Sequence, residues 1–322
     1  MGVEEITLNW FNSNKFINEK VGYIKSVVED DGVAINALSG GVDSSVVTML
    51  GHLALEGRLK TYFVDNGIMR EGEPQRIVSI FKDLGVNIEL IDAQDKFFEA
   101  LKGITNPEEK REAVTQTFYK DVFAELVEKT GAKYLFQGTI LTDVDETKAK
   151  IKRQHNVFKQ IGIDPEKAFG YKILEPLEQL RKPSVRVVAK KLKLPKEIIY
   201  RQPFPGPALA TRVVGEITRE KINTVRKATS IVEYELSNVK AFQYMAILHE
   251  DKVTGMRDGK RDFGLQIEVR CWDSKDARIA SPTRLPYKTL ENLAGRLTEE
   301  VPGVVSVTYN ITTKPPSTIE II

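Results

Sequence analysis

The sequence predicts an α/β chain, with a parallel sheet first and a smaller α+β domain after it. Helical and strand-like runs alternate through the first half, and a glycine- and serine-rich string joins a short apolar run to a helical one. A proline-dense string at residues 203–207 then precedes a second, mixed segment. Strands alternating with helices at such intervals imply βαβ units and parallel pairing. At roughly 150 residues per domain, 322 residues suit two domains.

Ile17, Val21, Ile24 and Val28 recur at helical spacing, and the apolar run 33–38 follows the Asp31-Gly32 turn as a buried strand. A helix over 44–55, a strand over 61–64, a helix over 74–84 and a strand over 87–91 continue the alternation, and one long helix over 107–130 leads into a strand over 134–136. Residues 142–171 are polar and basic with no periodic element beyond the turn at Asp164-Pro165, which makes them a candidate lid. A helix over 182–192, with Pro183 in its first turn, and a short one over 195–200 close a first domain of residues 1–202. Residues 203–322 form the second, with helices over 218–236 and 287–300 and strands over 241–248, 265–272 and 304–311.

Composition narrows the function. Hydrophobic residues make up 41% and charged residues 29%, which excludes disorder and fibrous repeats. No apolar run reaches the roughly 18 residues of a membrane span, and the start MGVEEITLNW lacks the features of a cleaved signal, so a cytoplasmic protein is expected. One cysteine, Cys271, excludes an internal disulfide, a CxxC pair and a multi-thiolate zinc site. The net charge of +2 hides an asymmetry: residues 146–201 hold 15 Lys or Arg against 6 Asp or Glu. Such a field attracts polyphosphates, nucleotides or RNA, unless it is only a solvated face.

The string Ser39-Gly40-Gly41-Val42-Asp43-Ser44-Ser45 lies between a buried strand and a helix start. Backbone N–H groups there lack partners and the helix dipole is positive, so a phosphate is favoured. Gly40 and Gly41 allow close approach, and Ser39, Ser44 and Ser45 add hydroxyl donors. Asp43 would repel a pyrophosphate unless Mg²⁺ stood between them, so its presence points to a metal-bridged ligand. Neither GxxxxGK[ST] nor GxGxxG is present. SGGVDSS resembles the PP-loop of the N-type ATP pyrophosphatases, which cleave ATP between the α and β phosphates and adenylylate an acceptor; the resemblance implies their adenine-nucleotide α-hydrolase-like fold.

Five further strings sharpen this to the ATP pyrophosphatase part of GMP synthetase: FVDNG at 63–67, QGTILTDVDE at 137–146, IKRQHNV at 151–157, RQPFPGP at 201–207 and KPPSTIE at 314–320. The resemblance implies a ligase that adenylylates O2 of XMP and then aminates C2 to give GMP, with ATP and Mg²⁺. It implies ATP contacts from the loop residues 39–45 and from Val64, Asp65, Gly138 and Thr139, and catalytic roles for Asp43 and for Lys152 and His155 of the lid. It implies Mg²⁺ ligands among Asp43, Asp143 and Glu146, and XMP contacts from Arg201, Pro205, Gly206, Lys314, Ile319 and Glu320. The second domain resembles the family's dimerisation module, so a homodimer is expected.

Departures from the family pattern fall mainly on the XMP side: Gln154 replaces a lid histidine, Ser306 replaces an arginine eight residues before Lys314, and Met256-Arg257 alters a neighbouring string. Cys271 lies in an alternating apolar row with Leu265, Ile267 and Val269, which places it in a core and leaves no nucleophilic thiol for glutamine hydrolysis. Ammonia is therefore expected from a separate glutamine amidotransferase subunit or from solution. The competing readings are a tRNA-modifying PP-loop enzyme, disfavoured by the single cysteine, NAD synthetase, which leaves KPPSTIE unexplained, and a non-catalytic ATP-binding homologue. No nucleic-acid or membrane partner is expected.

Overall fold

The structure, a computed structural model, describes residues 3–148, 171–257, 259–275 and 277–321. The chain forms two compact units, each discontinuous in sequence. Met1–Asp65, Pro74–Asp92 and Phe118–Arg201 make the first; Asn66–Glu73, Ala93–Thr117 and Gln202–Ile322 make the second. The expected boundary at 202/203 stands beside the passage from Arg201 to Gln202, while the second unit also takes two earlier segments.

The first unit is built on five parallel strands, β1 (Ala34–Ala37), β2 (Leu59–Asp65), β3 (Ile88–Asp92), β4 (Tyr134–Phe136) and β5 (Lys172–Leu174), in the order β3-β2-β1-β4-β5. Ala34 and Ile35 of β1 are fully buried, as a central strand covered on both faces requires. The helix Val42–Leu55 is apolar around most of its circumference and buries Val46, Val47 and Leu50 completely. Ser13–Val27 is a surface helix whose start is fixed by the Asn12 side chain accepting from the Lys15 amide at 3.1 Å, and it buries Phe16 and Ile24.

The second unit carries a sheet in which β6 (Gln243–Arg257) and β7 (Lys260–Ser274) form a long antiparallel pair. The short β8 (Ala280–Pro282) lies antiparallel to β7 and β9 (Val304–Tyr309) parallel to it. Helices Arg219–Glu235 and Tyr287–Glu300 bury Ile222, Val225, Val232, Leu293 and Leu297. Ile267, Val269 and Cys271 of β7 are at most 1% exposed, as the apolar row predicts. The intervening polar row is covered too: Glu268 and Arg270 are both buried.

Three expectations need correction. The helix expected over 107–130 is three segments: Pro107–Gln116, a π-helical stretch Thr117–Phe123, and Ala124–Thr130. The wider π turn brings residues five apart together, and Phe118 stacks on Phe123 at 6.0 Å between centroids. A helix at Gln94–Leu101 escapes the sequence reading because Ala93 offers no side-chain cap and the helix is only eight residues long. A third, Leu141–Lys148, begins in the segment read as lacking periodicity; of its first four residues only Leu141 and Val144 are buried, too few to mark an apolar stripe.

Candidate active site

In the first unit β1 is where the winding of the sheet reverses, since β2 and β3 lie to one side of it and β4 and β5 to the other. Parallel sheets bind ligands beyond the carboxyl ends of their strands at such a point. The SGGVDSS string occupies it: β1 ends at Ala37 and the helix starts at Val42, with extended Gly41 as its N-cap. Gly40 has φ +74°, and a β-carbon there would lie 2.8 Å from Arg201 Nη1. Arg201 donates to the Gly40 carbonyl at 3.0 Å.

The loop is braced by its own serines and by a buried polar chain beneath it. The Ser39 and Ser44 hydroxyls meet at 2.9 Å, and Ser44 also donates to the Gly41 carbonyl at 3.0 Å. Buried Thr48 donates to the Ser44 carbonyl at 2.8 Å and accepts from Asn36 of β1 at 2.5 Å. Ser45 is fully buried, its hydroxyl without a partner, so it faces the interior.

Asp43 is the charged centre. Its Oδ2 accepts from Lys182 Nζ at 2.5 Å, and its Oδ1 is buried without a hydrogen-bond partner. Burial pushes its carboxyl above the ordinary range, Lys182 pulls it back, and the Asp143 carboxylate adds a further upward push. Asp143 accepts from the Ile140 amide at 3.1 Å through Oδ2. The exit of β4 closes on the same place: a β-carbon on Gly138 would lie 3.1 Å from the Ser44 nitrogen. Thr139, beside it, donates to Glu175 at 2.5 Å. Val64 is buried near the end of β2, which Asp65 terminates. Lys152, Gln154 and His155 lie outside the described residues, as do the side chains of Glu146 and Arg257.

The second unit gathers other expected residues. Glu320 accepts from Arg212 Nη2 at 2.8 Å and Nε at 3.2 Å, and from Gln243 Nε2 at 2.6 Å. The same Gln243 amide donates to the Pro203 carbonyl at 3.0 Å, which ties the PFPGP string to the C-terminal segment. Within that string the Pro205 carbonyl accepts from the Ala208 amide at 2.9 Å, and Gly206 is exposed. Ile319 is a core residue, packed in one cluster with Met245, Ile247, Trp272 and Ala280. Lys314 lines a groove of about 920 Å³ with Lys240 and Lys275, and its Nζ donates to the Ala277 carbonyl at 2.9 Å. Ser306 accepts from Gln266 at 3.1 Å.

Sequence reading assigned no role to Lys182, Arg212 or Gln243. Lys182 carried one signal, a cation at the first position of a helix, where the dipole disfavours it. Arg212 carried another, a lone charge in the run ALATRVV. Cys271 is buried, which pushes its thiol up and away from nucleophilic use. Among the described residues no group of three or more His, Cys, Asp or Glu assembles as a metal site, and no helix is long and apolar enough to cross a membrane.

Known proteins share both the loop-bearing and the C-terminal part of the chain. Residues 231–321 match the GMP synthase C terminal domain family. The chain is 44% identical over 315 residues to a GMP synthase (glutamine-hydrolyzing) subunit of Methanocaldococcus jannaschii, spanning 96% of this chain and 99% of that one. It is 47% identical over 306 residues to the corresponding GMP synthase subunit of Archaeoglobus fulgidus, spanning 95% and 98%. A solved NH3-dependent NAD synthetase from Campylobacter jejuni aligns over 59% of this chain and 78% of that one with a TM-score of 0.43 and 16% identity.

Proposed function

The chain belongs to the glutamine-hydrolyzing GMP synthase family, and we propose that it is the ATP pyrophosphatase subunit that aminates XMP to GMP through adenylyl-XMP. AMP and pyrophosphate are released, and ammonia comes from a separate glutamine amidotransferase subunit. The observation that supports this most is the SGGVDSS loop at the carboxyl end of β1, in a chain whose likeness to a GMP synthase subunit extends over 96% of its length.

The loop receives the β- and γ-phosphates. The first turn of Val42–Leu55 offers backbone N–H groups and the positive end of the helix dipole, with Gly138 leaving those donors uncovered. The Lys182 ammonium offsets the charge of Asp43 beside the incoming polyphosphate. O2 of the xanthine attacks the α-phosphorus, the bond to the β-phosphate oxygen breaks, and pyrophosphate leaves within the loop. Ammonia then adds at C2, and AMP departs with the former O2 oxygen. Lys152 and His155, for which catalytic roles are proposed, lie outside the described residues.

Mg²⁺ fits the acidic side of the loop, where Asp43 Oδ1 is buried without a hydrogen-bond partner and Asp143 is near enough to perturb Asp43. Asp43 and Asp143 would hold it, with Glu146 the third expected ligand; when bound, it neutralises the pyrophosphate charge. A site with so few protein ligands suits an ion that arrives with its nucleotide and keeps part of its water shell.

XMP would engage Arg201, Pro205, Gly206, Lys314, Ile319 and Glu320, and a homodimer would form through the C-terminal unit of a cytoplasmic enzyme. The chain incubated with ATP, Mg²⁺, XMP and ammonium should form GMP, AMP and pyrophosphate in equal amounts. Pyrophosphate release that does not rise above background on adding XMP would overturn the acceptor.

A further inference from the structure

We propose that Arg212 is a positioning residue for the acceptor site, setting the Glu320 carboxylate so that it accepts hydrogen bonds from the purine. The inference rests on the reading of XMP as acceptor with Glu320 among its contacts. Arg212 ends a short 3-10 turn, Ala208–Arg212, directly after the PFPGP string, and it is wholly buried. Its guanidinium grips Glu320 with two nitrogens, at 2.8 and 3.2 Å, a fork that fixes the carboxylate plane as well as its place. The fork is itself held flat: its central carbon lies 4.8 Å from the centroid of Phe204, and the same ring carries Arg70 at 3.8 Å.

The backbone just before Glu320 is pinned independently. Arg270 Nη1 donates to the Thr318 carbonyl at 2.8 Å and, more weakly, to that of Ile319 at 3.5 Å. Gln243 supplies a third bond to Glu320 from the start of β6. A carboxylate has about four lone-pair sites, so three bonds leave it able to accept another. Its side chain keeps 16% exposure, so a ligand can reach it.

Stability alone is a poor reason for this arrangement. A buried ion pair contributes little net stability against an apolar replacement. A fixed acceptor for the substrate gives the pair a reason to be kept.

The test is a cycle of R212K, R212M, E320Q and R212K/E320Q in the full chain, with steady-state constants for XMP and for ATP and a thermal melt of each. Loss of one charge-assisted, well-aligned bond should raise KM for XMP by about tenfold in R212K and more in R212M, with KM for ATP within about twofold. In the E320Q background R212K should add little, since the residue acts through that carboxylate. R212K keeps the charge, so it answers the question if R212M does not fold. Unchanged KM for XMP in R212K, a parallel rise for XMP and ATP, or full additivity in the double variant would overturn the inference while leaving XMP as acceptor. If the unaltered chain shows no XMP-dependent turnover, the functional reading falls and the inference with it.

Discussion

Glu268 shows how much of this molecule is decided by single polar contacts. Burial alone would raise its carboxyl, but His249 at 2.8 Å, Arg270 at 2.6 Å and Asn310 at 3.0 Å more than offset that and hold it down to about 2, from an ordinary 4.5. A carboxyl lowered on folding contributes stability that is fully present above the unfolded value and is lost as pH falls towards the folded one. Denaturant unfolding between pH 5 and 2 should therefore show a component of up to about 3 kcal/mol that E268Q lacks. Equal slopes in the two proteins over that window would refute it. The cover over Glu268 and Arg270 could not be read from the sequence, because the segment that supplies it lies far along the chain: Arg270 meets Thr318, 48 residues away. The expectation at Asp43 has the opposite basis. Its neighbours in sequence are the loop glycines and serines, so local chemistry already implies an anion and a metal.

At the scale of elements, the loop between β1 and its helix depends on the exit of another strand. Gly138 follows β4, and any side chain there would sit against the Ser44 nitrogen and the Asp43 carbonyl carbon, at 3.1 and 3.3 Å. Its backbone angle is ordinary, so the constraint is one of space over the first turn of the helix. G138A should raise KM for ATP by about tenfold with little change in KM for XMP, as expected when one or two hydrogen bonds to phosphate are displaced. Steady-state titration of each substrate checks this, and an unaltered KM for ATP would contradict it. Strands 1 to 4 and most of the helices between them were legible because apolar runs and 3.6-residue spacing survive in the sequence, whereas the eight-residue helix Gln94–Leu101 was not. The strands Lys172–Leu174 and Ala280–Pro282 were missed too: both are three residues long and, unlike the wholly buried Tyr134–Phe136, they carry Lys, Ser or Pro and make no apolar run. The π turn at Thr117–Phe123 was hidden because it is one widened stretch inside an otherwise helical run, where Tyr119 and Phe123, four residues apart, still read as an α-helical pair.

For the whole molecule, the PFPGP string lies just past the passage from Arg201 to Gln202, where the chain changes unit. What the linear reading could not show is that Asn66–Glu73 and Ala93–Thr117 leave the first unit and join the second. The bonds that recruit them are non-local: Arg226 donates to the Met69 carbonyl at 2.8 Å, and Lys110, fully buried, to that of Val213 at 2.7 Å. Neither partner is marked by a neighbour in sequence. Fold class and the glycine- and serine-rich loop were thus written locally, whereas the braces of the second unit were written in pairs of distant residues.

Everything functional here turns on the loop after β1 holding the leaving pyrophosphate of ATP while XMP attacks the α-phosphorus. Exchange of labelled pyrophosphate into ATP, measured without ammonia so that the adenylyl intermediate can only reverse, addresses that step by itself. Exchange should require both XMP and Mg²⁺; label that fails to enter ATP with XMP present, or that enters equally without it, would rule the step out.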